Sequence, residues 1–130
     1  MKILITGSSG QLGKAVISQK PKDFQLLLPK RKELDLSDQV NCRSYIEKNR
    51  PEFVINCGAF TNVDLAENKP DLCFEINAKA PITFAKVLKE YGGKFLQISS
   101  DYVFDGCKNS PYEVNDIRNP ISKYGFSKAI

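Results

Sequence analysis

The stretch Lys2-Ile3-Leu4-Ile5-Thr6-Gly7-Ser8-Ser9-Gly10-Gln11-Leu12-Gly13 decides the fold. Its first half holds the unbroken apolar run Ile3-Leu4-Ile5, the pattern of a strand buried on both faces of a parallel sheet. Its second half spaces glycines as Gly-x-x-Gly-x-x-Gly, close to but not the Gly-x-Gly-x-x-Gly of the common dinucleotide fingerprint. The physical demands are alike. One glycine permits a tight turn, one lets the backbone approach a diphosphate, and one allows close packing of helix on strand. A helix opening near Gln11 then offers unpaired amide N–H groups to phosphate.

Outward from this stretch, strand and helix patterns alternate. Gln11 to Lys20 reads as a helix stopped by Pro21. Phe24 to Leu28 reads as a second strand closed by Pro29, and Leu34-Asp35-Leu36 as a short third one. Ser37 or Asp38 can cap a helix running to about Asn49, with Tyr45-Ile46 inward. Phe53 to Cys57 is a fourth strand, Asp71 to Tyr91 a long helix that Pro81 should kink or divide, and Lys94 to Ser99 a fifth strand after Gly92-Gly93. The expected fold is α/β: a Rossmann-type, doubly wound parallel sheet of about five strands in the order 3-2-1-4-5. Ligands in such sheets bind outside the carboxyl ends of the strands, where the order reverses.

Every informative segment falls at such an end. Gly7 to Gly13 follows strand 1, Pro29 to Lys32 strand 2, Gly58 to Asp64 strand 4, and Ser100 to Gly106 strand 5. Near the carboxyl terminus stands Tyr124-Gly125-Phe126-Ser127-Lys128, entered after Pro120. On a helix Tyr124 and Lys128 share a face, ~5–6 Å apart at Cβ. An ammonium beside a phenol favours the phenolate and draws its pKa below the free value near ~10. Such a tyrosine can give a proton to a carbonyl oxygen as hydride arrives, with Ser100 hydrogen-bonded to the same oxygen.

The second strand runs into Pro29-Lys30-Arg31-Lys32 where an acidic residue would select the ribose 2′-hydroxyl of NAD. A cation there favours a 2′-phosphate, and Arg31 is the expected contact. NADPH is therefore the expected cofactor, with NADH admitted because Glu33 is adjacent.

Composition excludes other classes. The 130 residues carry a net charge of +4, 42% hydrophobic and 26% charged residues. No apolar run approaches the ~20 residues that span a bilayer, and the basic residues form no broad stripe of the kind nucleic acid requires. Cys42, Cys57, Cys73 and Cys107 form no Cys-x-x-Cys pair and there is no histidine, so no metal site is expected. Free thiols and the absence of a secretory pattern at Met1-Lys2-Ile3 make the expected compartment cytoplasmic.

Five stretches together resemble the extended short-chain dehydrogenase/reductases, and within them the dTDP-4-dehydrorhamnose reductases. They are Gly7 to Gly13, Glu33 to Asp38, Pro51 to Asp64, Ile98 to Gly106 with its Asp-Tyr-Val-Phe-Asp-Gly string, and Tyr124 to Lys128. The resemblance implies a reductase of a dTDP-linked 4-keto-6-deoxyhexose, in dTDP-rhamnose synthesis. It implies catalytic roles for Ser100, Tyr124 and Lys128, with Lys128 also holding the nicotinamide ribose. Gly7, Ser9, Gly10, Gln11, Leu12 and Gly13 would carry the diphosphate side, Asp35 and Leu36 would flank the adenine, and Ala59, Phe60 and Thr61 would line the middle of the cofactor. Val63, Asp64 and Glu67, with Asp101 and Tyr102, would lie toward the substrate. Reductases of this kind are longer, with further strands and a sugar-nucleotide domain after the Tyr-x-x-x-Lys helix. Residues 1–130 are accordingly expected to be one partial NAD(P)-binding domain that retains cofactor binding only. Two other readings stand beside this one: a non-catalytic NADP-binding relative or regulatory subunit, and a nucleotide-sugar epimerase or dehydratase. An unpaired strand 5 carrying Phe95, Leu96 and Ile98 predicts a homo-oligomer through the sheet edge, or a poorly ordered tail beyond Asp105.

Overall fold

A computed structural model describes residues 1–130. Four parallel strands, β1 (Lys2–Thr6), β2 (Gln25–Leu27), β3 (Phe53–Asn56) and β4 (Lys94–Gln97), form a sheet in the order β2-β1-β3-β4. This is the expected order with its outermost member removed. Leu34-Asp35-Leu36 makes no strand, because local bonds claim its backbone. The amides of Glu33 and Leu34 donate to the Lys30 carbonyl, and the Asp35 amide donates to Asn41 Oδ1. Side-chain acceptors of this kind compete with a ladder. Leu34 is nevertheless buried in the core.

The side-chain alternation of the strands sorts the two faces. Leu4, Val54 and Phe95, level with one another in register, meet α2 (Gln39–Asn49) and α5 (Ala80–Tyr91). Ile46, Phe84, Val87 and Leu88 complete this core, each burial contributing ~1.5–3 kcal/mol. Asp38 caps α2 by accepting from the Asn41 amide at 2.9 Å. Tyr45 is half-buried against the core and Ile46 fully buried. The opposite face, with Ile5, Ile55 and Leu96 in register, carries α1 (Gln11–Ser18), which ends two residues before the expected Lys20.

Pro81 does divide the long helix. It has no N–H to give the Asn77 carbonyl, so the ladder opens into a π-turn over Glu75–Lys79, with the Ala80 amide donating to the Glu75 carbonyl. Before it lie α3 (Val63–Asn68) and α4 (Pro70–Phe74), and after β4 come a 3₁₀ turn (Asp101–Val103) and α6 (Lys123–Ala129).

The segment between Asp105 and Asn119 is cross-braced rather than loose. The Asp105 carboxylate accepts from the Cys107 amide, the Tyr112 hydroxyl and the Asn119 amide group, each at 2.9 Å. Phe104 and Tyr112 stack with ring centres 4.1 Å apart.

Candidate cofactor cleft

The glycine loop is built as the chemistry requires. Gly7 sits at φ +60°, and a Cβ there would lie 2.7 Å from the Gly58 amide nitrogen. A Cβ on Gly13 would lie 2.3 Å from the Gly7 carbonyl oxygen, so α1 can press onto the loop only with glycine at that point. Gly10 opens α1 with extended backbone and no side-chain cap, which leaves the first amides of the helix free for an anion.

Two cavities meet over this loop and share Gly7, Ser9, Gly58 and Ala59. The smaller, ≈ 300 Å³, is bounded by Pro29, Arg31, Asp35, Leu36 and Ile76. The larger, ≈ 760 Å³, runs past Gly10, Gln11, Leu12, Gly13 and Thr61 to Ile98, Ser99, Tyr124 and Lys128. The two sequence signatures therefore line one continuous crevice, although more than a hundred residues separate them.

At the smaller end Arg31 is exposed and its Nε stands 3.8 Å from Asp35 Oδ2. The Ser37 hydroxyl and amide, with Arg31 adding its charge, hold the Asp35 carboxyl below its ordinary pKa. An exposed pair of this length contributes little to stability, so the guanidinium can turn to a phosphate at small cost. Leu36 caps Gly58, whose Cβ would lie 2.6 Å from Leu36 Cδ1.

At the larger end Tyr124 is buried, with its ring edge-on to Tyr102 at 5.4 Å between centres. Lys128 Nζ donates to the Ile98 carbonyl at 2.6 Å, and burial lowers the pKa of the amine. Helix α6 is fixed at its start by Ser122, whose hydroxyl accepts from the Gly125 amide. Glu67 also serves it, accepting from the Lys123 amide at 2.8 Å. A carboxylate there complements the helix dipole, so Glu67 supports the start of α6. Gly125 lets α6 lie against the 3₁₀ turn, since its Cβ would meet the Tyr102 carbonyl oxygen at 2.2 Å.

Several expected residues lie outside the lining of the crevice. The Ser100 hydroxyl accepts from the Tyr102 amide at 3.1 Å and donates to Asp101 Oδ1 at 3.2 Å, capping the 3₁₀ turn beside Tyr124. Phe60 and Val63 pack behind Tyr124 on Ala66 and Cys73. Asp64, Asp101 and Tyr102 are exposed.

Other residues of the site escaped the sequence reading. Asn77, in the π-turn, accepts from the Phe60 amide at 2.8 Å and donates back to the Phe60 carbonyl at 2.9 Å. It also donates to Ser127 Oγ at 3.0 Å, and that hydroxyl donates to the Tyr124 carbonyl at 2.6 Å. One buried amide thus ties the loop after β3 to α6. The available signal was a polar residue inside an apolar helical stripe, since such a group is buried only when bonded. Asn56, at the end of an otherwise apolar strand, gave the same signal.

Residues 1–130 match the family model described as RmlD substrate binding domain. A dTDP-4-dehydrorhamnose reductase from Burkholderia thailandensis is 37% identical over 130 residues, covering 100% of this chain and 44% of that protein. The methionine adenosyltransferase 2 subunit beta of Bos taurus is 35% identical over 135 residues, covering 98% of this chain and 40% of its own length. The crystal structure of dTDP-4-dehydrorhamnose reductase from Bacillus anthracis str. Ames, in complex with NADP, superposes with a TM-score of 0.90 at 34% identity. That match covers 98% of this chain and 46% of that one. The chain thus spans less than half the length of these relatives.

Proposed function

The chain belongs to the RmlD substrate binding domain family, and from that premise we propose that its crevice binds NADPH for reduction of the 4-keto group of a dTDP-linked 6-deoxyhexose. The carrying observation is that the loop Gly7–Gly13 and the pair Tyr124 and Lys128 line a single crevice. The residues fit the cofactor. Free amides and two glycines that admit no Cβ suit a diphosphate, and Arg31 beside Leu36 suits an adenosine 2′-phosphate.

Bound NADPH supplies a hydride to the carbonyl carbon. The chain's own residues handle the proton and the orientation. Tyr124 donates its phenolic proton to the carbonyl oxygen, so that the ketone becomes an alcohol. Lys128 provides the nearby positive charge that favours the phenolate left behind, and contacts the nicotinamide ribose. Ser100, once released from Asp101, donates to the same carbonyl oxygen. Residues 1–130 supply the cofactor half of the reaction. Copies of the chain associate through the open edge of β4.

A second reading is favoured by the similarity to a methionine adenosyltransferase subunit: the chain binds the dinucleotide as part of a non-catalytic subunit. Titration with NADPH and NADH, followed by nicotinamide absorbance after adding a dTDP-4-keto-6-deoxyhexose, separates the two. Binding with oxidation of NADPH supports the reductase. Binding without oxidation supports the subunit reading for this chain, and no saturable binding removes both.

A further inference from the structure

The carboxyl ends of β1, β3 and β4 carry Thr6, Asn56 and Gln97 at one level of the sheet, in register with one another. Their side chains form an unbroken line. The Gly58 amide donates to Thr6 Oγ1 at 3.0 Å, and the Thr6 hydroxyl donates to Asn56 Oδ1. Asn56 Nδ2 donates to Gln97 Oε1 at 2.7 Å, and Gln97 Nε2 donates to the Ile98 carbonyl at 2.9 Å. That carbonyl is the acceptor of Lys128 Nζ. Thr6 and Asn56 are 2% and 1% exposed, in a sheet whose other strand positions nearby are apolar. Burying polar side chains there is unfavourable unless each is bonded, and the line leaves none without a partner.

We propose that Gln97, with Asn56 and Thr6 behind it, is a positioning residue: the line fixes the Ile98 carbonyl and through it the Lys128 ammonium, coupling the turn at Gly58 to the reducing end of the crevice. The inference rests on reading Lys128 as the contact for the nicotinamide ribose. Thr6 borders the smaller cavity and Asn56 the larger, whereas Gln97 lines neither, so a change at Gln97 reaches the ligand through the Ile98 carbonyl and Lys128. The adenosine half, over Arg31 and Leu36, lies at the Thr6 end of the line, away from Gln97.

Gln97→Met keeps the length of the side chain and removes both of its hydrogen bonds. Two measurements follow. The first needs no ligand: amine-labelling rates read by mass spectrometry on the full chain. Lys128 should label several-fold faster in Gln97→Met, with Lys48 and Lys86 unchanged. An unchanged Lys128 rate, or an equal rise at all three lysines, overturns the proposal. The second compares affinities for NADPH and adenosine 2′,5′-bisphosphate. Gln97→Met should weaken NADPH about tenfold and leave the bisphosphate unaffected. It should add little in a Lys128→Ala background, because the two substitutions break one path. Equal losses for both ligands, or full additivity with Lys128→Ala, overturn the proposal. If the unaltered chain binds no NADPH, the functional reading fails while the labelling result still decides this one.

Discussion

At the scale of single residues, three glycines and one arginine carry most of what the sequence says. Gly7 and Gly13 are required by contact distances, since at either a Cβ would collide with backbone that no rotamer change can move. Gly13→Ala should therefore lower stability by about 2 kcal/mol, seen as a lower urea midpoint with unchanged slope; an unchanged midpoint would show that the loop can retreat. Gly125 faces the same constraint against Tyr102. Arg31 has a different kind of role. Its side chain is mostly exposed and its pairing with Asp35 is loose, so Arg31→Glu should leave the fold intact. It should weaken NADPH tenfold or more, as loss of a charge-assisted contact does, to within about an order of magnitude. NADH should lose far less, and equal losses in fluorescence titrations would remove Arg31 from the 2′-phosphate. Gly13 and Arg31 were legible because their reasons are local, whereas Gly7 is fixed by Gly58 and Gly125 by Tyr102, and only the motifs that carry them could be read. Asn77, Ser127 and Gln97 were not legible, because each acts through a partner distant in sequence.

At the scale of elements, sequence and structure agree wherever an apolar period is long and diverge where side chains compete with the backbone. The strands at Lys2–Thr6, Phe53–Asn56 and Lys94–Gln97 stand where the apolar runs placed them. Leu34-Asp35-Leu36 looked like a strand because of its two leucines, yet Asn41 and Ser37 engage Asp35 and turn the segment. Pro81 announced a break in the helix but not its form, a π-turn that places Asn77 between Phe60 and Ser127. The loop from Asp105 to Asn119 is held by two carboxylates: Asp116 accepts from Lys108 Nζ and the Glu113 amide, and the three hydrogen bonds of Asp105, the Cys107 amide foremost, lower its pKa from 3.8 to about 2. A folded pKa below the unfolded one means that the charged form stabilises the loop. That stabilisation is complete above the ordinary value and is lost as pH falls through it toward about 2. Amide exchange at Cys107, corrected for its intrinsic rate, should accelerate across that window. In Asp105→Ala it should be fast at every pH; a pH-independent rate in the unaltered protein would show that the Asp105 carboxylate does not hold the loop.

At the scale of the molecule, the sheet is well covered on one face and open on part of the other. Leu96 of β4 is 46% exposed, and the outer edge of β4 has no neighbouring strand. An apolar edge of this kind is a pairing template. Sedimentation should show concentration-dependent self-association, and Leu96→Lys should suppress it; a monomer at every concentration would contradict the proposed edge pairing. The covered face and the loops at the carboxyl ends of the strands hold the crevice independently of that edge. The most direct test is a crystal structure of this chain with NADP. The expected result places the diphosphate over the amides of Gln11 and Leu12, the 2′-phosphate at Arg31, and the nicotinamide facing the hydroxyl of Tyr124. A dinucleotide bound elsewhere, or a Tyr124 hydroxyl turned away from the ring on an intact α6, would contradict the single-crevice reading.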